Sequence, residues 1–200
     1  VAGAADATAS TLTPTSASIT ANGASTQVLT VTAKDANGNN VGTGGATVTI
    51  TKSSGTGSIG SVTDVGNGTY TATVTSPTAV GSGVFVATLG AAQVKSGSGS
   101  QTQSTITYTA GAASKYLVTS SSSSPVAGAT VTISAQLADA NDNPVATSGQ
   151  TVTWTKSNAN GSFASATSTT NGSGIATVVF TSHTVAGTAT TVTATTSAIS

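Results

Sequence analysis

Near its start the chain reads Val28-Leu29-Thr30-Val31-Thr32-Ala33, and the alternation of apolar and hydroxyl side chains from Leu29 onward decides the fold. The same alternation returns in Ala46-Thr47-Val48-Thr49-Ile50-Thr51 and in Tyr70-Thr71-Ala72-Thr73-Val74-Thr75. A period of two residues, built from Val, Ile, Tyr and Thr, is typical of half-buried β-strands. Asn-Gly pairs tolerate the positive φ of hairpin turns, and they begin at Asn22, Asn37, Asn67, Asn160 and Asn171. No stretch shows helical spacing, so the sequence predicts an all-β fold.

The composition allows a folded core but leaves almost no charge for the surface. Among 200 residues there are 43 Thr, 30 Ser, five Lys and five Asp, and there is no Glu, Arg, Cys or Met. Charged residues make up 5% of the chain, against about 25% in an average soluble domain. A net charge of zero without arginine argues against nucleic-acid binding, which needs clustered cations. The lack of cysteine excludes disulfides and thiolate metal sites, and no apolar run approaches the roughly 18 residues of a membrane span.

The two halves of the chain align as a repeat. Residues 35–41 match residues 139–145, residues 47–53 match 151–157 without a gap, and a two-residue insertion precedes the match of 75–76 with 181–182. Two modules of roughly 100 residues with short strands have the size of immunoglobulin-like β-sandwiches. We assign residues 1–9 to the exit of a preceding module or a linker, 10–109 to the first module, 110–114 to a linker and 115–200 to the second module.

The alternation also predicts which side chains face each core. These are Leu29, Val31, Val48, Ile50, Tyr70, Ala72 and Val74 in the first module, and Ile133, Ala135, Val152, Trp154, Ala176, Val178 and Phe180 in the second. Trp154 falls on the third strand, where immunoglobulin-type sandwiches often bury a Trp. A sugar-stacking platform is the alternative role for this ring. Because its counterpart Ile50 is aliphatic and its register points inward, we expect Trp154 to fill the core.

The second module lacks a counterpart of the last strand predicted for the first. Ala110-Gly111-Ala112-Ala113 follows the strand Thr105-Ile106-Thr107-Tyr108-Thr109, and the same tetrapeptide stands at residues 2–5, directly after Val1. Thr195 aligns with Leu89, whereas the first module continues for nineteen residues beyond Gly90. We therefore expect the second sandwich to be incomplete within this chain. Either the chain is a window from a longer array, or another chain donates the strand.

A family resemblance follows from Leu12-Thr13-Pro14, Ala21-Asn22-Gly23 and Val31-Thr32-Ala33-Lys34-Asp35-Ala36-Asn37-Gly38-Asn39. These stretches resemble the bacterial Ig-like modules of the invasin/intimin type, and residues 135–145 and 171–177 of the second module are similar to the same group. The resemblance covers most of both modules. It implies an immunoglobulin-like fold without catalytic residues, as found in adhesins, S-layer and other surface proteins, and phage structural proteins. Such modules usually act as spacers that hold a terminal binding domain away from a surface.

One loop of the second module is a weak candidate for calcium binding, through Asp139, Asn141, Asp142 and Asn143. Carboxylate and amide oxygens at alternate positions suit Ca²⁺, and the string resembles the calcium-binding linker motif of cadherins. The matching loop of the first module, however, has Gly38 in place of Asp142, and the chain contains no Glu. A tight turn held by Asx side-chain hydrogen bonds explains both copies. We therefore predict no metal and no cofactor.

The remaining polar motifs do not form a catalytic site. Asn67, Asn160 and Asn171 lie in Asn-x-Ser/Thr sequons at predicted turns and are candidate glycosylation sites. His183 has no second His and no acid nearby in the sequence, whereas hydrolysis needs a base, an orienting acid and an oxyanion hole together. An isopeptide bond from the equivalent Lys52 or Lys156 would require a buried acid that the pattern does not place. We predict that the chain is not an enzyme.

The sequence thus favours a structural role for two tandem immunoglobulin-like β-sandwiches. The leading hypothesis is a set of spacer modules in a larger extracellular surface protein of the adhesin-stalk or S-layer type. A phage virion or donor-strand filament subunit is the first alternative, and a glycan-binding module is the second. The expected location is extracellular, on a cell surface or a virion surface. The expected partners are neighbouring Ig-like modules or subunits, including partners by strand donation, and a host-surface receptor or glycan.

Overall fold

The structure, a computed structural model, describes residues 2–196. The chain divides into two compact units, Val1–Thr109 (unit one) and Ala110–Ser200 (unit two). The described residues contain no helix, and so none long and apolar enough to cross a membrane. The all-β prediction is confirmed.

Unit one is a sandwich of two five-stranded sheets. Its strands are β1 (Ala5–Thr13), β2 (Ser16–Thr20), β3 (Thr26–Asp35), β4 (Val48–Gly55), β5 (Ser58–Ile59), β6 (Thr63–Asp64), β7 (Thr69–Thr75), β8 (Gly81–Leu89), β9 (Ala92–Gln93) and β10 (Gln103–Thr109). One sheet has the order β1-β3-β7-β5, with β6 also paired to β7. The other has the order β2-β10-β8-β4, with β9 also paired to β8. The chain crosses between the sheets at Pro14, which follows a cis peptide bond and separates β1 from β2.

Unit two repeats this plan with fewer strands. They are β11 (Lys115–Ser120), β12 (Thr130–Ala138), β13 (Thr151–Lys156), β14 (Ser162–Phe163), β15 (Thr167–Thr169), β16 (Ile175–Thr181) and β17 (Val192–Thr195). One sheet has the order β11-β12-β16-β14 and the other has the order β15-β13-β17. Within residues 110–196, no strand takes the place that β10 has in unit one, and β17 and β15 are the two edge strands of their sheet.

The cores lie where the alternation predicts them. All of the predicted inner-face side chains are buried except that of Val48, which is half-buried and packs against the core of unit one. The register is the same in both units, since Leu29 pairs with Ala72 across β3 and β7, and Ile133 pairs with Val178 across β12 and β16. Burial of one face of each strand drives the two sheets together.

Two sequence assignments need correction. Residues 5–9, predicted to lie outside the first module, belong to β1, where Ala5 pairs with Asp35 of β3. The alignment of Thr195 with Leu89 is off by one residue. Trp154 pairs with Ala194, as Ile50 pairs with Ala87, so Ala194 corresponds to Ala87. With the corrected register, Val192 and Ala194 lie on the inward face of β17, and both pack against the core of unit two.

Candidate functional site

A buried carboxylate closes the loop after β3. Oδ1 of Asp35 accepts hydrogen bonds from the backbone N–H groups of Asn37 at 3.0 Å and Asn39 at 2.9 Å. The Asn39 side-chain amide also donates to both carboxylate oxygens, at 3.2 and 3.1 Å. Oδ2 accepts a further bond of 2.9 Å from the backbone N–H of Gly3, 32 residues earlier in the chain. Asp35 therefore ties its own turn to the segment that precedes β1.

Unit two contains the same arrangement around Asp139. Oδ1 accepts the backbone N–H groups of Asn141 and Asn143, both at 2.9 Å. Oδ2 accepts the Asn143 side-chain amide at 3.0 Å and the backbone N–H of Gly111 at 2.8 Å. Gly3 and Gly111 occupy the same place in the two Ala-Gly-Ala-Ala tetrapeptides. We call the pairs Asp35 with Gly3 and Asp139 with Gly111 the Asp–Gly clamps.

The clamps hold both carboxylates in their ionised form. Hydrogen bonds from the Gly3 backbone, then from Asn39 and Asn37, lower the pKa of Asp35 to about 2. Burial by itself would raise the pKa of Asp139, but the donors on Asn143, Gly111 and Asn141 outweigh it and lower that pKa to about 2 as well. Hydrogen bonding to the charged form of a carboxylate has this effect in general.

The second clamp leaves very little chain between the anchored parts of the two units. The carbonyl of Thr109, the last residue of β10, accepts a hydrogen bond of 2.8 Å from the Ala21 backbone within unit one. The backbone N–H of Gly111 is bound by Asp139 within unit two. Ala110 alone lies between these two anchored residues.

The loop that suggested a calcium site holds its oxygen atoms in a different way. Both oxygens of Asp139 face N–H donors, and the Asp142 carboxylate forms a 2.6 Å ion pair with Lys115. Asp142 itself has a positive φ of 67°, the conformation that Gly38 takes in unit one. Within residues 2–196, no three His, Cys, Asp or Glu side chains are grouped as metal ligands. This geometry favours an Asx turn and does not assemble the six to eight oxygens that Ca²⁺ prefers.

The three sequon asparagines lie at turns, as predicted. Asn67 and Asn171 are exposed, and Asn160 is half-buried. The Asn67 side-chain oxygen accepts the Thr69 backbone N–H at 3.1 Å, and that of Asn171 accepts the Ser173 backbone N–H at 2.9 Å. Their side chains stabilise the turns, and glycosylation at the three positions remains a prediction.

Two equivalent lysines have a structural role that the sequence argument missed. Nζ of Lys52 donates to the carbonyl of Gly57 at 2.8 Å, and Nζ of Lys156 donates to the carbonyl of Gly161 at 2.9 Å. Each lysine closes the loop that follows its own strand. The signal was present in the repeat, because both pairs have the same separation of five residues.

The aromatic and imidazole candidates are engaged inside unit two. Trp154 is 3% exposed, and its indole N–H donates to the Ser168 hydroxyl at 2.9 Å, which confirms that it fills the core. His183 is half-buried, and its Nδ1 accepts the backbone N–H of Val185 at 3.1 Å. The structure thus does not bring the sequence candidates together into one site. It shows two repeated clamps instead.

Comparison with known proteins supports the same architecture. A family model described as invasin, domain 3, matches residues 6–111. No curated protein sequence matches the chain. The structure of invasin, a bacterial integrin-binding protein, is 22% identical with a TM-score of 0.58, over 97% of this chain and 37% of that one.

Two further solved structures are similar at lower TM-scores. The Escherichia coli adhesin FdeC is 21% identical with a TM-score of 0.50, over 98% of this chain and 62% of that one. The Yersinia pseudotuberculosis adhesin InvE is 24% identical with a TM-score of 0.45, over 94% of this chain and 55% of that one. The chain therefore spans between 37% and 62% of the length of these three proteins, and at such identities the likeness concerns the fold.

Proposed function

The chain belongs to the family of invasin domain 3, and from this premise we propose that its two units are non-enzymatic spacer modules of a bacterial surface protein of the adhesin type. Invasin is described as integrin-binding and FdeC as an adhesin. In this proposal the chain works outside the cell, in series with neighbouring Ig-like modules, and supports a part of the protein that binds a host-surface receptor.

The observation that carries the proposal is the repetition of the Asp–Gly clamp. Each unit binds the chain segment that leads into it, through Gly3 in one case and Gly111 in the other. Ala110 alone lies between the two anchored backbone groups, so the connection is short. A spacer needs a short connection between its units, because a flexible joint would not keep the binding part of the protein at a distance from the surface.

The surface composition suits a passive spacer. Serine and threonine alternate with the inward apolar residues and so lie on the outward faces of the strands. The ten charged side chains give no net charge. An uncharged hydroxyl surface stays hydrated, and its interactions depend little on ionic strength. Recognition by electrostatic steering is therefore not part of this proposal.

The glycan-binding and virion alternatives receive no comparable support. A sugar platform needs exposed aromatic rings, whereas five of the seven aromatic side chains are buried and Tyr116 and Phe163 are half-buried. The exposed large apolar side chains among the described residues are all valines. Invasin is a bacterial integrin-binding protein and FdeC is an Escherichia coli adhesin, so we propose the bacterial surface as the location of this chain.

The spread of distances between two spin labels tests the proposal. Because the chain has no cysteine, Val28→Cys and Val179→Cys place one label on each unit, at valines that are 47% and 44% exposed. We expect a narrow distance distribution that broadens when four Gly-Ser residues are inserted after Ala110, and also in Asp139→Ala. Asp35→Ala is the matched control, because it opens the other clamp and should leave the distribution unchanged. A distribution in the unmodified chain as broad as in the insertion variant would contradict a spacer role.

A further inference from the structure

Asn160 and Gly161 form one of the five Asn-Gly pairs of the chain, and they lie in the loop between β13 and β14. An Asn-Gly pair can react with itself, because the backbone nitrogen of the glycine can attack the side-chain carbonyl carbon of the asparagine. Glycine favours this attack because it has no Cβ to obstruct the approach. The reaction needs a peptide N–H and a side-chain amide that no hydrogen bond holds in place. The hydrogen bonds of these two groups therefore rank the five pairs.

Two of the pairs have their glycine nitrogen engaged. The N–H of Gly23 donates to the carbonyl of Pro77 at 3.1 Å, and the N–H of Gly38 donates to the carbonyl of Asp35 at 2.9 Å. A nitrogen that shares its proton with a carbonyl must break this bond before it can attack. In the folded protein these two pairs are therefore protected at the nucleophile.

Two further pairs have their asparagine side chain fixed. The side-chain oxygen of Asn67 accepts the backbone N–H of Thr69 at 3.1 Å and its hydroxyl at 2.6 Å. That of Asn171 accepts the backbone N–H groups of Ser173 at 2.9 Å and Ile175 at 3.1 Å. Each side-chain carbonyl is held by two donors and must lose both before it can rotate onto the following nitrogen. These two pairs are protected at the electrophile.

The pair at Asn160 is held in neither way. Within the described residues 2–196, the side-chain amide of Asn160 makes no hydrogen bond, and the N–H of Gly161 has no acceptor. The backbone N–H of Asn160 is anchored by the side-chain oxygen of Asn158 at 3.0 Å, which leaves the Asn160 side chain free to rotate. The residue is half-buried, so water reaches it. A free electrophile and a free nucleophile are therefore adjacent here.

A cation lies next to the peptide group that has to lose a proton. Nζ of Lys156 is 3.4 Å from the carbonyl oxygen of Asn160 and 2.9 Å from that of Gly161. The nitrogen of Gly161 and the carbonyl of Asn160 belong to one peptide group, so resonance shares the negative charge of the deprotonated nitrogen with that oxygen. A positive charge at this distance stabilises the deprotonated form. Lys156 therefore favours the step that creates the nucleophile.

We propose that Asn160 is a site of spontaneous modification, at which the side-chain amide is lost and a carboxylate forms beside Lys156. The nitrogen of Gly161 attacks the side-chain carbonyl carbon of Asn160, and the amide leaves as ammonia with the proton of the peptide N–H. One water then opens the cyclic imide to an aspartyl or isoaspartyl residue. The net reaction consumes one water, releases one ammonia and gives unit two one more negative charge. It also removes the acceptor amide of one candidate glycosylation sequon.

Peptide mapping by mass spectrometry tests the proposal on the whole protein, because each conversion of an amide to a carboxyl group changes the mass of one peptide. The folded chain is incubated at mildly alkaline pH, and the five asparagines are followed over time. We expect Asn160 to convert faster than each of the other four by about fivefold or more, the factor that corresponds to one hydrogen bond. In guanidinium chloride the five pairs should convert at similar rates, because the bonds of the folded state are gone.

Two variants test the part of Lys156. Lys156→Gln removes the charge and keeps an N–H donor, and it should slow the conversion of Asn160 about fivefold, the factor expected for a unit charge about 4 Å away in water. Lys156→Arg keeps the charge and should leave the rate nearly unchanged. Conversion of Asn160 in the folded protein no faster than that of the other four asparagines would overturn the proposal. A rate in Lys156→Gln equal to or above that of the unmodified chain would overturn the role of Lys156.

Discussion

Replacing Trp154 with alanine should destabilise unit two selectively. The side chain lies on β13 between the two sheets, is 3% exposed, and donates its indole N–H to Ser168. No other residue of unit two contributes a ring at this layer of the three-stranded sheet. Its removal leaves a cavity in the core of unit two.

The expected loss is a large part of the stability of unit two. A Trp→Ala change in a core costs about 3–5 kcal/mol of unfolding free energy. A unit of about 90 residues has roughly 5–14 kcal/mol in all. At about 4–8 °C per kcal/mol for a domain of this size, the midpoint of thermal unfolding should fall by at least about 12 °C. Trp154→Phe keeps a ring and loses the indole N–H, so it should cost only about 1–2 kcal/mol.

Scanning calorimetry of the whole chain measures this effect, with the transition of unit two assigned in the unmodified protein by its Trp fluorescence. The matched control is Ile50→Ala at the equivalent position of β4. It should lower the unfolding free energy of unit one by about 2–5 kcal/mol and leave the thermal transition of unit two unchanged. An unchanged transition of unit two in Trp154→Ala would refute the burial of this ring. A shift confined to unit one would refute the assignment of two separate cores.

Lowering the pH should destabilise both units between about pH 4 and pH 2. The pKa of Asp35 and Asp139 is about 2 in the folded protein and about 3.9 in the unfolded chain. Their contribution to the unfolding free energy is therefore complete above pH 4 and disappears as the pH falls through 2. In Asp139→Asn the acid-induced loss of stability of unit two, measured by denaturant midpoints, should be smaller. Millimolar Ca²⁺ should move neither thermal transition, because the Asp139 oxygens already accept N–H groups, and a saturable heat in titration calorimetry would contradict this. Tyr70→Phe should lower the unfolding free energy of unit one by about 1–2 kcal/mol, because the Tyr70 hydroxyl accepts the Ala46 N–H at 2.9 Å. Chemical unfolding measures this loss. Lys156→Met removes the hydrogen bond to the Gly161 carbonyl and should lower the unfolding free energy of unit two by about 1 kcal/mol. Equal stability to the unmodified chain would contradict that role.

Local patterning was sufficient for the architecture. The alternation around Leu29 and Val31 predicted the strands, the buried face and the class of fold, because a two-residue period can bury one face only in a β-sheet. The repeat predicted the position of Trp154 for the same reason, since its counterpart in unit one, Ile50, has the same register. These inferences need no knowledge of how distant segments meet.

The sequence alone determined an all-β chain of two repeated sandwich units with almost no charge, because alternation and composition are properties of neighbouring residues. Only the tertiary structure decided that Asp35 binds Gly3 and that Asp139 binds Gly111, although the sequence shows the repeated tetrapeptide and the repeated Asp loop as separate motifs. It also corrected the register of β17 by one residue. The physical reason is that hydrogen-bond partners 28 or 32 residues apart, and a slip of one residue after a loop, depend on the path of the backbone. No spacing along the chain encodes that path.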